Sequence, residues 1–476
     1  MEYVPNNWFN SKHINLENLN HDAHDLLHNG FLFKRQRINK NTINWLCKTG
    51  GCSGSVTVNK HDEKITRNIE HEFVIFHKHL SEVELAALNF KKNCKVRSEL
   101  EPSLSTGKIF HEEQSKIAQE TNATYQELAQ VLPSYSNIKS TLQKRKKKTL
   151  PPLPRALKDL NLDGEFIKTV KDEKFLIYKS RDNKILVFSS PNQLKALAEA
   201  DHWYADGTFR SSTNFHYQLY IIHAYVNHHM LACCFALMNR RRKKHYIKVL
   251  NALKKESKNL NLILNPSYVM TDFELAAINA FKDVFRGINS KGCLFHFCKA
   301  LTKKISSNEV GLKSELEKNE ELIKWFKGVC ALALVPLNHS DFIFEKLLKD
   351  QPNLSKIERF MDYFVKTYYE GNFPHEMWNH YETEGYPRTN NNLEGYNNKL
   401  NRHLSVAHPD IFKAVNKFKE EEVDVSIKLC RALNKEKPPA RKKLNILSDA
   451  LLVNYKKMLE NQEISIDTFI SSNFVT

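Results

Sequence analysis

Two apolar runs, Tyr217 to Val226 and Met230 to Met238, flank Asn227 and His228. Both fall short of the roughly 18 residues a membrane span needs, and their spacing predicts an adjoining hairpin of buried strands. Before them, Phe175 to Tyr178 and Ile185 to Phe188 read as strands, Pro191 to Ala200 as a helix, and Trp203 to Ala205 as another strand. After them come a basic helix (Lys243 to Lys258), a strand (Tyr268 to Thr271), a helix (Glu274 to Phe285), a strand near Cys293 to Phe295 and a further helix. Strands followed by alternating strand and helix predict an α/β fold, a mixed sheet covered by helices. Residues 300 to 385 read as purely helical and are taken as an insertion.

The chain has 476 residues, more than one comfortable core holds, so two or three packed units are expected. Its 71 Lys and Arg against 54 Asp and Glu leave a net charge of +17. That excess suits a polyanionic partner such as nucleic acid, although ribosomal and membrane-surface proteins share it. Nine cysteines, mostly scattered, argue for a reducing compartment rather than a disulfide framework. The opening MEYVPNNWFN lacks a basic and then apolar signal pattern. A soluble intracellular protein is expected, with no membrane partner.

Near the amino terminus, Cys47 and Cys52 are followed by His77 and His79. Two thiolates and two imidazoles are the ligands tetrahedral zinc prefers. Residues 31 to 80 otherwise hold few apolar residues, so their folding would depend on the metal. His71 is an alternative ligand, and His61 and His71 together show that histidine is simply frequent here. From Ser105 onward the texture is helical, with Ile117, Ala118, Tyr125, Leu128 and Val131 at helical spacing. Pro133 interrupts it, and a second helix runs from Asn137 into Lys144, Arg145, Lys146, Lys147 and Lys148. That basic end reads as a DNA-contacting helix, a phosphate clamp, a nuclear localisation signal or a solvated charge run. Pro151, Pro152 and Pro154 read as a linker.

Three acids stand out, each with a structural explanation of its own. Asp206, in Trp203-Tyr-Ala-Asp-Gly-Thr-Phe209, falls where a strand would end, with Gly207 letting the backbone turn away; Asp-Gly is also a common hairpin turn. Asp272 closes the strand before a helix, where Thr271 and Glu274 form a Ser/Thr-x-x-Glu capping pattern. Glu394, in Asn391-Asn-Leu-Glu394, reads equally as the reciprocal acid of an N-cap on a helix burying Leu393, Tyr396, Leu400 and Leu404. Together, two strand-end aspartates and a helix-borne glutamate are what a two-metal phosphodiester site requires, since hard divalent cations take oxygen ligands.

The series Asp206-Gly-Thr-Phe209, Gln218-Leu-Tyr220, Met270-Thr-Asp-Phe-Glu274, Gly292-Cys-Leu-Phe-His296 and Arg388-Thr-Asn-Asn-Asn-Leu-Glu-Gly-Tyr396 resembles, in order and spacing, the MULE (Mutator-like element) transposase domain. The resemblance covers about residues 200 to 405. It implies an RNase H-like mixed sheet with flanking helices and an all-helical insertion before the third acid. It also implies Asp206, Asp272 and Glu394 as a D-D-E triad binding Mg²⁺ or Mn²⁺. Cys293 and His296 match the family's Cys-x-x-His element; packing and active-site support are the favoured reading over a metal site with Cys298. The amino-terminal arrangement is similar to a FLYWCH zinc finger, with Phe33 where that family's name has Tyr.

The expected organisation is a small zinc-binding β domain at 28–82, a helical basic segment at 104–150 that admits a helix-turn-helix reading, and the α/β core from 160–299. An insertion at 300–385, a helix at 386–430 carrying the third acid and a helical tail at 431–476 complete it. The expected function is a nuclear DNA transposase, cleaving and joining strands at element ends and acting on terminal repeats and target DNA. Synapsis asks for a homo-oligomer, and the finger would bind DNA or a protein partner. The competing expectation is a domesticated, non-catalytic DNA-binding regulator that keeps the scaffold.

Overall fold

The computed structural model describes residues 1–9, 12, 23–71, 76–77, 79–102, 104–148, 151–404, 406–438, 440–441 and 443–471. The chain divides into two units, residues 1–153 and 154–476. No described helix is long and apolar enough to cross a membrane.

In the first unit six strands cross one sheet in chain order: β1 (Glu2–Pro5), β2 (His24–His28), β3 (Phe31–Ile38), β4 (Thr42–Cys47), β5 (Ser55–Asn59) and β6 (Ile65–Ile69). Every pairing is antiparallel. In β4 the buried Ile43, Trp45 and Cys47 alternate with half-buried Thr42, Asn44 and Leu46, the period-two signature of a one-sided sheet. Leu26, Phe33, Val56 and Val58 join Trp45 in a small core. The sheet therefore starts well before residue 28, because Tyr3 of β1 pairs with Leu26 of β2. A core exists here after all, completed by a leucine from outside the 31–80 stretch.

Four helices follow: α1 (Glu82–Leu100), α2 (Thr106–Glu120), α3 (Tyr125–Val131) and α4 (Tyr135–Lys148). Ser81 with Glu84 and Thr124 with Glu127 form reciprocal capping boxes that fix the starts of α1 and α3. Phe90, Cys94, Phe110, Ile117, Leu128 and Leu142 form their shared core.

The second unit is built on a seven-stranded sheet. Its first elements are β7 (Leu176–Lys179), β8 (Ile185–Phe188), α5 (Pro191–Glu199), β9 (His202–Thr208), β10 (Gln218–Val226) and β11 (His229–Met238). Asn227 and His228 both take left-handed backbone, φ 44° and 67°, as the tight β10–β11 turn demands. Then come α6 (Lys243–Asn259), β12 (Tyr268–Thr271), α7 (Leu275–Val284), β13 (Asn289–Gly292) and α8 (Leu294–Ile305). The strand order is β13-β12-β9-β10-β11-β8-β7. The β12 pairings to β9 and β13 are parallel and the rest antiparallel, so the sheet is mixed. The strand expected at Cys293 to Phe295 lies earlier, and Cys293 is instead the residue that opens α8.

From α8 to residue 385 the described regular structure is helical: α9 (Lys313–Lys318), α10 (Glu320–Ala331), α11 (Ser340–Lys349), α12 (Ile357–Phe364) and α13 (His375–Trp378), with short 3₁₀ and π turns between them. The chain ends with α14 (Asn391–Leu404), α15 (Ile411–Leu433), α16 (Lys443–Glu460) and α17 (Ile466–Ser471). Phe418 of α15 stacks on Phe235 of β11 at 4.7 Å, an aromatic pairing worth about 1 kcal/mol beyond its burial. Leu452 of α16 and Phe469 of α17 enter the same core as Phe297, Trp325, Phe360 and Trp378. The tail is thus part of the insertion's core rather than an appendage. Its Lys456 bonds the Tyr381 carbonyl, and its Asp449 pairs with Arg388, bracing the segment that leads into α14.

Candidate functional site: a carboxylate floor and a Cys/His cluster

Strand register brings the two aspartates together. Met270 of β12 lies opposite Tyr204 of β9 in a parallel pair. Side chains alternate faces along a strand, so residues two further on, Asp272 and Asp206, emerge side by side on one face. The Asp272 carboxylate acts directly on the Asp206 carboxyl. Leu393 of α14 packs against Tyr204, Met270 and Cys293, which carries the next residue, Glu394, to the same floor. His296, one turn into α8, bridges the acids: Nδ1 lies 2.8 Å from Asp272 Oδ1 and Nε2 3.5 Å from Glu394 Oε1. The first is an ion-pair contact rather than an aligned hydrogen bond. Phe297, the neighbour of His296, stacks on Trp378 at 5.2 Å and anchors that helix start in the insertion core.

The structure removes the structural explanation of each acid. Strand β9 runs on through Thr208, so Asp206 lies within it and Asp206-Gly207 makes no turn. Gly207 serves another purpose: a Cβ there would meet Gln218 Oε1 at 3.0 Å. Thr271 and Glu274 form no capping box; the Thr271 hydroxyl donates to the Asp272 carbonyl, and α7 has no side-chain cap. Asn391 lies inside α14, whose Glu394 N–H donates to the Asn390 carbonyl.

Two asparagines that the sequence reading passed over hold the aspartates. Asn397 Nδ2 donates to Asp206 Oδ2 at 2.8 Å, and Asn390 Nδ2 approaches Asp272 Oδ1 at 3.4 Å. The Gly207 N–H donates to Asp206 Oδ1 at 2.7 Å. Asn397 is buried, and Tyr396, half-buried as a residue, has its hydroxyl fully buried. The three-residue step from Glu394 to Asn397, one helical turn, was the signal available. Burial first, and then the Asp272 carboxylate, push the Asp206 carboxyl up to about 7. For His296 burial acts downward, but Asp272 and the Cys293 sulfur outweigh it and lift the ring to about 10. Cys293 itself is fully buried and accepts the Asn390 N–H at 3.1 Å. Cys298 lies against Cys330 of α10, so Cys293, His296 and Cys298 are not gathered as a soft metal site.

Hard carboxylate oxygens fit Mg²⁺ or Mn²⁺. The acids and His296 are more spread than a single-ion cluster: among the described residues only the amino-terminal group brings three or more ligand atoms within 4.8 Å of one another. Beside the acids lies a cavity of about 170 Å³ lined by Asp206, Gln218, Tyr220, Arg241, Asp272 and Glu274. Gln218 Nε2 donates to the Tyr246 hydroxyl, which donates to Glu274 Oε1, both at 2.7 Å. Arg241 Nε donates to Glu274 Oε2 at 2.9 Å. Glu274 is therefore committed to this wall.

In the first unit the metal-sized group is Cys47, Cys52, His71 and His77. His71 stands where the sequence pointed to His79. The His79 ring instead covers Gly30, where a Cβ would meet its Nδ1 at 2.5 Å, and lies tilted against Phe31 with centroids 4.0 Å apart. The group fits zinc on three observations. Backbone N–H groups of Thr49 and Gly54 donate to the Cys47 and Cys52 sulfurs at 3.4 and 3.3 Å, as thiolates require. Cys52 Sγ is 3.5 Å from His71 Nδ1. His77 Nε2 is buried with no partner among the described residues.

The basic end of α4 is not uniformly free. Arg145 pairs with Glu99 at 3.0 Å, and Lys146 Nζ donates to the Leu104 carbonyl at 2.5 Å. Lys144, Lys147 and Lys148 are exposed. No curated protein matches the chain. Residues 202–300, which carry Asp206, Asp272, Cys293 and His296, match the family model of the MULE transposase domain, and the chain is similar to Mutator-like transposases over that stretch.

Proposed function

We propose that the second unit is the RNase H-like core of a Mutator-type DNA transposase, with Asp206, Asp272 and Glu394 as the residues that hold Mg²⁺ or Mn²⁺. The observation that carries this reading is His296, 2.8 Å from Asp272 at the end of β12 and 3.5 Å from Glu394 of α14, with Asp206 of β9 beside Asp272. A divalent ion held by Asp206, Asp272 and Glu394 would supply Lewis-acid charge for phosphodiester displacement. The chain's own part is to fix the ligands. Asn397 and the Gly207 N–H set both oxygens of Asp206, Asn390 steadies Asp272, and His296 offers a hydrogen-bond donor on the same floor. The DNA strands would be terminal repeats and target, and the expected setting is the nucleus. Synapsis of two ends would need a homo-oligomer. Zinc on Cys47, Cys52, His71 and His77 would lock the small sheet as a FLYWCH-type finger that meets DNA or a protein partner.

The test is Mn²⁺- or Mg²⁺-dependent nicking and strand transfer on terminal-repeat DNA. Loss of both in Asp272→Asn is the expected result, and unchanged activity in that variant rejects the chemistry. Sequence-specific binding by the unaltered chain with no nicking under either metal would instead support the domesticated regulator.

A further inference from the structure

Helices α3 and α4 are joined by three residues, Leu132, Pro133 and Ser134, the connection length of a helix-turn-helix. α4 is amphipathic in a particular way. Ile138 and Leu142 face the core built with Phe90 and Phe110. Tyr135 seals the helix start, its ring 5.5 Å from Phe110 and its hydroxyl 2.9 Å from Thr106 Oγ1. Arg145 and Lys146 tie the far end to α1 and to the α1–α2 connection. The helix is thus held along its length by one side. Its other side is exposed and carries Asn137, Ser140 and Lys144, which at steps of three and four residues form one line. Thr141 flanks that line, and Lys147 and Lys148 extend it at the helix end. No acidic residue occurs anywhere in α4.

We propose that α4 is the sequence-reading helix of this protein, entering the major groove of duplex DNA with Asn137, Ser140 and Lys144 towards base edges and Lys147 and Lys148 on phosphates. An exposed α-helix fits the major groove of B-form DNA, whereas the deep, narrow groove of duplex RNA excludes it. Asn is suited to adenine and Lys to guanine, and small hydroxyls let the helix approach closely. Charge complementarity with the phosphates is supplied by lysines alone, since Arg145 and Lys146 are engaged within the unit. The inference rests on α1 to α4 and is independent of the carboxylate chemistry.

The full chain, loaded with zinc and carrying Asp272→Asn so that no strand is cut, would be used to select preferred sites from random duplex DNA. Binding to the selected site and to scrambled duplex is then measured across a salt series. Asn137→Ala and Lys144→Ala are expected to weaken the selected site about tenfold or more while leaving scrambled DNA within about twofold. Lys147→Ala with Lys148→Ala should weaken both alike and reduce the salt slope by about two. These side chains are exposed, and an unchanged thermal melt verifies that each variant is folded. Three outcomes overturn the proposal: site preference that survives Asn137→Ala and Lys144→Ala, preference lost only on substituting exposed residues of the small sheet, or tighter binding to duplex RNA than to any DNA.

Discussion

Asn397 and Asp206 are 191 positions apart in the chain, yet the amide of one donates to the carboxylate of the other at 2.8 Å. The bond ties α14, which arrives after the helical insertion, directly to the strand that carries the first acid. Asn397→Ala should leave Asp206 buried with one oxygen unsupported. Loss of such an outer partner typically weakens metal affinity or activity by about 10- to 100-fold. Mn²⁺ titration of nicking would show a raised metal requirement. An unaltered titration would mean that Asn397 serves packing alone.

For the amino-terminal cluster the prediction is a division between histidines. His71→Ala and Cys52→Ser should each lose stoichiometric zinc, whereas His79→Ala should retain it, as read by metal analysis of the purified chain or by the absorption of a Co²⁺ substitute. Gly54→Ala should also weaken the site, because a Cβ there would meet His71 Nδ1 at 2.9 Å and Cys52 Sγ at 3.2 Å. Chelation of zinc should melt the small sheet before the second unit, since structural zinc contributes directly to folding. Zinc retained by His71→Ala and lost by His79→Ala would restore the ligand set read from the sequence.

Tyr246 hangs between Gln218 and Glu274 by two hydrogen bonds of 2.7 Å, its side chain almost wholly buried. Tyr246→Phe keeps the ring and removes both bonds, leaving partners unsatisfied at a cost of about 1–3 kcal/mol. Chemical denaturation should show that loss, with Arg241 still holding Glu274. A variant as stable as the parent would show that the network carries no net stability.

Acidification should destabilise the second unit through histidines that are buried neutral. Burial lowers His223 to about 3 and His216 to about 4, the latter partly offset by the Asn183 carbonyl. In the unfolded chain both titrate near 6.5. Between those values the unfolded state binds more protons, so stability is full above about pH 6.5 and falls as pH drops toward 4 and then 3. His223 has no hydrogen-bond partner among the described residues. His223→Leu should therefore flatten part of the slope without loss at neutral pH; an unchanged slope would remove His223 from the account.

Much of the second unit's sheet could be read directly from residues. Long apolar runs and the Asn227-His228 pair carry their own strand and turn information. Asp206-Gly207 misled because the pair's local preference is a turn, while pairing of Gly207 with Tyr220 keeps it in the strand. The choice of His71 over His79 depends on where β6 ends relative to Cys52, a tertiary matter that ligand spacing alone does not encode. Asn390 and Asn397 were hidden for the same reason. Asparagine is common near helix starts, which masks Asn390, and Asn397, one turn beyond Glu394, gains its role only from the folded position of Asp206. The tail's place in the insertion core was equally invisible, since Leu452 and Phe469 look like residues of any surface helix until Trp378 and Trp325 are brought beside them.

Asp206 and Asp272 come from neighbouring strands, but Glu394 reaches them only after the chain has travelled through α9 to α13, with α16 and α17 closing the same core. Any chemistry of the three acids is therefore conditional on that long detour being finished. A half-formed chain would hold two aspartates and no third partner, so the trio of acids is complete only once the last helices have docked.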